Sequence, residues 1–139
     1  MRLGPEDARQ RFEAAAVARL ATVSGSGVPH LVPITFAVDD DLVCFAIDHK
    51  PKSTWDLRRL RNIHENDRVS AIVDHYDDDW SQLWWARADG HAEVVERGKR
   101  RSRLVELLQT KYAQYREHSP EGPVVVIKVS RWSGWSSFT

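Results

Sequence analysis

The sequence predicts a mainly β fold with helices: a six-stranded antiparallel barrel whose strands are joined by three connecting helices. Three observations lead there. Six short β-rich runs recur along the chain, each bounded by a turn signal or a helical pattern. The helical patterns are too few to alternate with the strands as a parallel βαβ sheet requires. The length of 139 residues suits one domain, residues 1–139, with a single sizeable core.

In order, Pro5 opens a first helix, with Glu6 and Asp7 at the favoured end of its dipole and Phe12, Ala15 and Ala16 on its apolar face. Val17 to Val23 is the first strand, ended by Ser24-Gly25-Ser26-Gly27. Val28 to Val38 is the second. Pro29 and Pro33 within it cannot donate to a ladder, so an edge, a bulge or a ligand belongs there. Asp39-Asp40-Asp41 turns into an apolar strand, Leu42 to Ile47, which breaks at Asp48-His49 into Lys50-Pro51-Lys52. Ser53 reads as the N-cap of a helix running to about His64, with Asp56 completing an S-x-x-D pattern. Two lysines and a hydroxyl at a helix start form an anion site on one reading and an ordinary solvated turn on the other. Arg68 to His75 is a strand, Tyr76 to Asp79 a turn, and Gln82 to Glu96 a long strand kinked or bulged at Gly90. Gly98 to about His118 is a helix with Leu104, Leu107, Leu108 and Tyr112 on one face. Val124 to Val129 is the last strand, and Ser130 to Trp135 follows as a loose tail.

Composition narrows the function. Twenty basic and twenty acidic residues cancel, which gives no footprint for nucleic acid or an acidic membrane. No apolar stretch reaches membrane-spanning length, and the N-terminus lacks a signal-peptide core, so the expected location is the cytoplasm. The single cysteine, Cys44, falls in a predicted buried strand as a small core hydrophobe. The histidines at 30, 49, 64, 75, 91 and 118 have no metal-ligand spacing, and no metal is expected. His75 among Asp74, Asp77, Asp78 and Asp79 lacks the glycine and spacing of a calcium loop. No G-x-S-x-G motif supports a hydrolase.

Tryptophan is enriched, with six residues, five of them in two clusters: Trp80, Trp84, Trp85, and Trp132, Trp135. On one strand Trp84 and Trp85 point to opposite faces, so one joins the core while the other meets solvent, a partner chain or a flat ligand. Trp132 and Trp135 either plug the end of the barrel or serve a ligand or dimer contact.

Several of these runs carry a family resemblance. Ala21-Thr22-Val23, the stretch Gly27 to Phe36, the Lys50-Pro51-Lys52 element with Asp56-Leu57, Asp67 to Ser70, Trp80, and Ala88 to Ala92 keep a characteristic order and spacing. Together they resemble the split β-barrel flavin and deazaflavin oxidoreductases, the pyridoxamine-5′-phosphate-oxidase-like, FMN-binding group. The pattern is most similar to its actinobacterial subgroup that uses the deazaflavin coenzyme F420. The Arg/Lys-rich phosphate set and C-terminal arginine motif of pyridoxamine-phosphate oxidase itself are missing, which argues against pyridoxal phosphate synthesis.

The resemblance implies a homodimer with cofactors in clefts between the two barrels, which lets so short a chain enclose a large ligand. It places the cofactor phosphate at Lys50, Lys52 and Ser53. The ring would lie along Pro33, Ile34, Thr35 and Phe36 and along Phe45, Ala46 and Ile47, with the Thr35 hydroxyl at its polar edge. Asp56 stands where the family usually has asparagine, and caps the helix instead. His30, Trp84 or Trp85, Trp132 and Trp135 fall to the substrate side or to the partner's wall. Arg58, Arg59 and Arg61 either meet an acidic cofactor tail or solvate a helix face. The implied activity is hydride transfer between F420 and an unsaturated or quinone-like small molecule, with no side chain assigned as general acid. The alternatives are an FMN-dependent oxidoreductase and a non-catalytic flavin- or haem-binding module.

Overall fold

The structure is a computed structural model that describes residues 1–47 and 57–137. The strands are β1 (Arg2–Leu3), β2 (Ala18–Val23), β3 (Pro29–Ile34), β4 (Ala37–Asp39), β5 (Leu42–Ala46), β6 (Arg68–His75), β7 (Trp84–Val95) and β8 (Val124–Ser136). The helices are α1 (Pro5–Ala14), α2 (Arg58–Glu65), α3 (Gly98–Lys111) and α4 (Ala113–Glu117), with a 3-10 turn at Trp80–Gln82. All strand pairs are antiparallel, in the order β3-β2-β6-β7-β8-β5-β4, and β1 adds to β8. None of the helices among the described residues is long and apolar enough to cross a membrane.

Among the described residues the sheet thus has eight strands rather than six, and its hydrogen-bonded path is open rather than closed. Its two ends, β3 and β4, are consecutive in sequence. The single strand expected over Val28 to Val38 breaks at Thr35-Phe36 because Phe36 turns inward, fully buried, to meet Phe12 at a ring distance of 4.8 Å. Its N–H bonds the Tyr112 hydroxyl at 3.1 Å instead of a ladder partner. The prolines do mark an edge: Pro29 and Pro33 sit on β3, which among the described residues pairs only with β2.

The expected helix over 98–118 is divided at Tyr112, whose extended backbone (φ −119°, ψ 121°) separates α3 from α4. With α1 and α2 this makes four α-helices among the described residues where three were expected. The expected tail after Val129 is instead the second half of β8, in which Trp132, Gly134 and Ser136 alternate inward. Gly134 permits it, since a Cβ there would lie 2.7 Å from the Trp85 carbonyl oxygen. At Gly90 the sequence reading holds. The β7–β8 register shifts between Asp89 and Gly90, and a Cβ on Gly90 would come 2.2 Å from the Lys128 carbonyl oxygen.

Two apolar clusters flank the sheet. α1 plugs the interior through Ala8 and Phe12, against Leu20, Phe36, Phe45, Ile127 and Trp132. α3 covers the outside of β5 and of the first half of β8 through Leu104, Val105 and Leu108, against Cys44, Val124 and Val126. This explains why Val124 to Ile127 is a continuous buried run rather than an alternating one: both of its faces are covered. Each large side chain so buried contributes about 1.5–3 kcal/mol.

Candidate functional site

The break between β3 and β4 opens a seam. β4 pairs with β5 only over Ala37–Asp39 and Leu42–Cys44, so Phe45 and Ala46 pair with β8 but have no β4 partner. In the break Thr35 is exposed, while the side chains of Phe36, Phe45 and Ile47 are core. What this stretch offers to a ligand is therefore mainly backbone edge, in a sheet that elsewhere pairs its strands.

Three side chains from the end of α3 and the start of α4 brace the seam. The Tyr112 hydroxyl accepts from the Phe36 N–H and donates to the Ala16 carbonyl at 2.7 Å. The Tyr115 hydroxyl lies 2.9 Å from Thr35 Oγ1, and the two tyrosine rings meet edge to face at 5.8 Å. Lys111 donates to the carbonyls of Ala15 (2.6 Å) and Glu13 (3.1 Å) at the C-terminal end of α1, with its ammonium 3.8 Å from the centre of the Phe36 ring. Burial pushes the Lys111 amine down to about 8, and burial likewise raises the Tyr112 phenol. Sequence reasoning placed Tyr112 on a core face and did not connect Lys111 or Tyr115 to the site. The signal was the crowding of lysine and two tyrosines at a helix end, but their partner strand is some eighty residues away.

The residues expected to hold the phosphate, Lys50, Lys52 and Ser53, lie outside the described residues, as does Asp56. α2 begins at Arg58, after Leu57, with no acidic side chain in its first turn. The Arg58 and Arg61 side chains stand at the surface there. Of the residues expected along the ring, Pro33 and Ile34 end β3, Thr35 and Phe36 lie in the break that follows, and Phe45 and Ala46 end β5 with Ile47 just after it.

The tryptophans lie elsewhere. Trp84 and Trp85 point to opposite faces, as their adjacency requires. Trp84 packs on the interior cluster under the Arg11 guanidinium and stacks on His75 at 6.1 Å. Trp132 is core, only 8% exposed, and its indole N–H donates to Asp41 at 3.0 Å. Trp85 and Trp135 pair across β7 and β8 on the outer face, beside a cleft of about 460 Å³. None of the seam residues lines that cleft, so one chain does not bring the two halves of the expected site together.

His30 faces inward on β3 opposite Thr22, and its Nδ1 is buried with no hydrogen-bond partner among the described residues. Thr22 accepts from the Asn62 amide at 3.0 Å. Among the described residues no group of three or more His, Cys, Asp or Glu could hold a metal ion. Cys44 is buried, and burial raises its thiol to about 12, which leaves it unreactive.

Comparison with known proteins agrees with this architecture. Residues 5–136 match the family described as pyridoxamine 5′-phosphate oxidase. A stretch of 56 residues is 39% identical to the 5a,11a-dehydrotetracycline/5a,11a-dehydrooxytetracycline reductase of Streptomyces rimosus. That match takes in 40% of this chain and 38% of the relative, so the chain spans well under half of that protein's length. A FAD-binding protein of Mesorhizobium loti superposes with a TM-score of 0.71 at 19% identity, covering 96% of this chain and 95% of that one. The haem storage protein HutZ of Vibrio cholerae also reaches a TM-score of 0.71 at 19% identity, over 98% of this chain and 95% of that one. At such identities the two structures speak for the fold alone. The family match runs from the first turn of α1 to the last residue of β8, and the chain belongs to the pyridoxamine 5′-phosphate oxidase family.

Proposed function

We propose that the protein is an F420-dependent oxidoreductase that reduces an unsaturated or quinone-like small molecule. The observation that carries this reading is the seam. A flat, polar-edged ring needs open backbone and a hydroxyl on one side and an anion-holding element near by. Phe45–Ala46 and Thr35 supply the first, and the basic opening of α2, continuing from Lys50, Lys52 and Ser53, supplies the second. The reductase relative, whose named substrates are dehydro compounds, supports reduction of a carbon–carbon double bond.

When bound, the coenzyme supplies the hydride. The chain's own residues bind and orient it. Lys50, Lys52 and Ser53 hold the phosphate, and Arg58, Arg59 and Arg61 meet the acidic tail. Tyr115 holds the Thr35 hydroxyl in place, and Tyr112 fixes the Phe36 backbone behind the ring. The substrate approaches from a tryptophan-bearing face contributed by a second copy of the chain. That assembly is supported by Leu31 and Trp135, which stand on the same outer face of the sheet at 70% and 37% exposure.

Fluorescence titration with F420 and with FMN at two ionic strengths tests the reading. Tighter binding of F420, weakened by salt and by Lys52→Ala about tenfold or more, supports it. Tighter FMN binding without salt dependence would replace F420 by FMN. A haem Soret band in protein purified from a native-like host, with neither coenzyme bound, would replace the enzyme by a storage module. Light scattering showing a stable monomer at micromolar concentration would remove the shared site.

A further inference from the structure

We propose that the outer cleft between β1, β7 and β8 binds a planar aromatic anion, and that this is the chemical class of the substrate. The inference rests on the reading above that the tryptophan face is the substrate side. Its volume, about 460 Å³, falls within the range of small-molecule sites. Its apolar wall is the cross-strand pair Trp85 and Trp135. Its polar lining is three guanidiniums, Arg2, Arg87 and Arg131, with the Ser133 hydroxyl.

The carboxylates near the cleft stand at its margins rather than in its lining. Asp89 is the carboxylate registered opposite Arg131, but its oxygens are taken by Arg87 Nε at 3.0 Å and the Ser70 hydroxyl at 2.8 Å. Asp74 is registered opposite Trp85 from β6, and Asp41, which accepts the Trp132 indole N–H, shares an adjoining cleft with Glu6, Asp40 and Arg131. No carboxylate among the described residues lines the cleft itself. Arg87 lies over the Trp85 ring at 5.3 Å, which keeps a positive group directly above the apolar wall. Ser133 Oγ is buried with no hydrogen-bond partner among the described residues, which leaves a donor beside the guanidiniums. An indole wall selects flat rings, and guanidiniums select an oxyanion that they meet in a planar fork.

Isothermal titration of the full chain without coenzyme, using 2-naphthoate and its neutral isostere 2-naphthamide, tests the site. The expected result is that naphthoate binds about tenfold or more tightly than the amide, and that added salt erodes the difference. Arg131→Ala and Arg2→Ala should each weaken naphthoate severalfold and leave the amide unchanged. Both side chains are at the surface, and an unchanged melting temperature verifies folding. Equal affinity for acid and amide, naphthoate binding untouched in the Arg2→Ala/Arg131→Ala double variant, or no naphthoate binding at millimolar concentration would each overturn the proposal. Because the assay contains no coenzyme, its failure leaves the F420 and FMN titrations standing, and their failure leaves this binding standing.

Discussion

Trp132→Phe separates the core tryptophan from those at the surface. The substitution removes the indole N–H that donates 3.0 Å to Asp41, and it shortens a ring that meets Phe12 edge to face at 5.4 Å. A hydrogen bond to a charged acceptor contributes about 1.5–3 kcal/mol. Asp41 stands on an exposed turn and rehydrates once released, so the lower end applies. The lost ring atoms leave a void costing on the order of 1 kcal/mol. The sum is about 2–3 kcal/mol. For 139 residues, at about 2.1 cal/mol/K each, the unfolding entropy is about 0.3 kcal/mol/K, so the melting temperature should fall by roughly 7–10 °C. Circular dichroism melts at one fixed protein concentration measure it, with Trp135→Phe and Asp41→Asn as companions. Trp135 is partly solvated, so Trp135→Phe should stay within about 2 °C, while Asp41→Asn keeps an acceptor and should lose less than Trp132→Phe. A Trp132→Phe protein that melts with the wild type would refute the placement of this indole in the core.

Gly90→Ala should destabilise strongly, by about 3 kcal/mol or more in urea titration, because the new methyl meets backbone of β8 that cannot rotate away. The Cys44 thiol should resist an aromatic disulfide reagent at pH 8 in the folded protein and react once the chain is unfolded in urea, since burial holds it near 12. Lys111 has a folded value of about 8, below its ordinary one, so the unfolded chain binds more protons than the folded one as pH rises above 8. Wild-type stability should therefore gain on that of Lys111→Met between pH 8 and 9, measured as urea midpoints. Above pH 9 the raised Cys44 thiol, whose contribution is lost as pH rises, works against that gain in both proteins. Tyr115→Phe should weaken F420 binding severalfold in the fluorescence titration while changing the melting temperature little, because Thr35 and Tyr115 bond to each other at the surface of the seam.

Several local features of the sheet were readable from local chemistry, though its strand order was not. Pro29 and Pro33 announced an edge, Gly90 a bulge, and the adjacency of Trp84 and Trp85 a division between two faces. Each of these is a property of one residue's backbone or of the two-residue strand period, which acts without regard to distant partners. The end of β8 was misread for an equally local reason. Serine and glycine between two indoles look like a mobile tail until Gly134 is seen to make room for the Trp85 carbonyl and the Leu3 side chain.

By itself the sequence determined a mainly β chain with helical connectors, a buried Cys44, and a lysine element ahead of a basic helix. These follow from hydrophobic period, turn residues and composition. Only the tertiary structure decided that the sheet stays open between β3 and β4, and that Lys111, Tyr112 and Tyr115 brace that opening from α3 and α4. It also decided that Trp132 belongs to the core while Trp85 and Trp135 share a cleft with three arginines. The physical reason is that each of these outcomes depends on which surfaces meet across long loops. Burial and charge balance belong to such meetings rather than to any single segment.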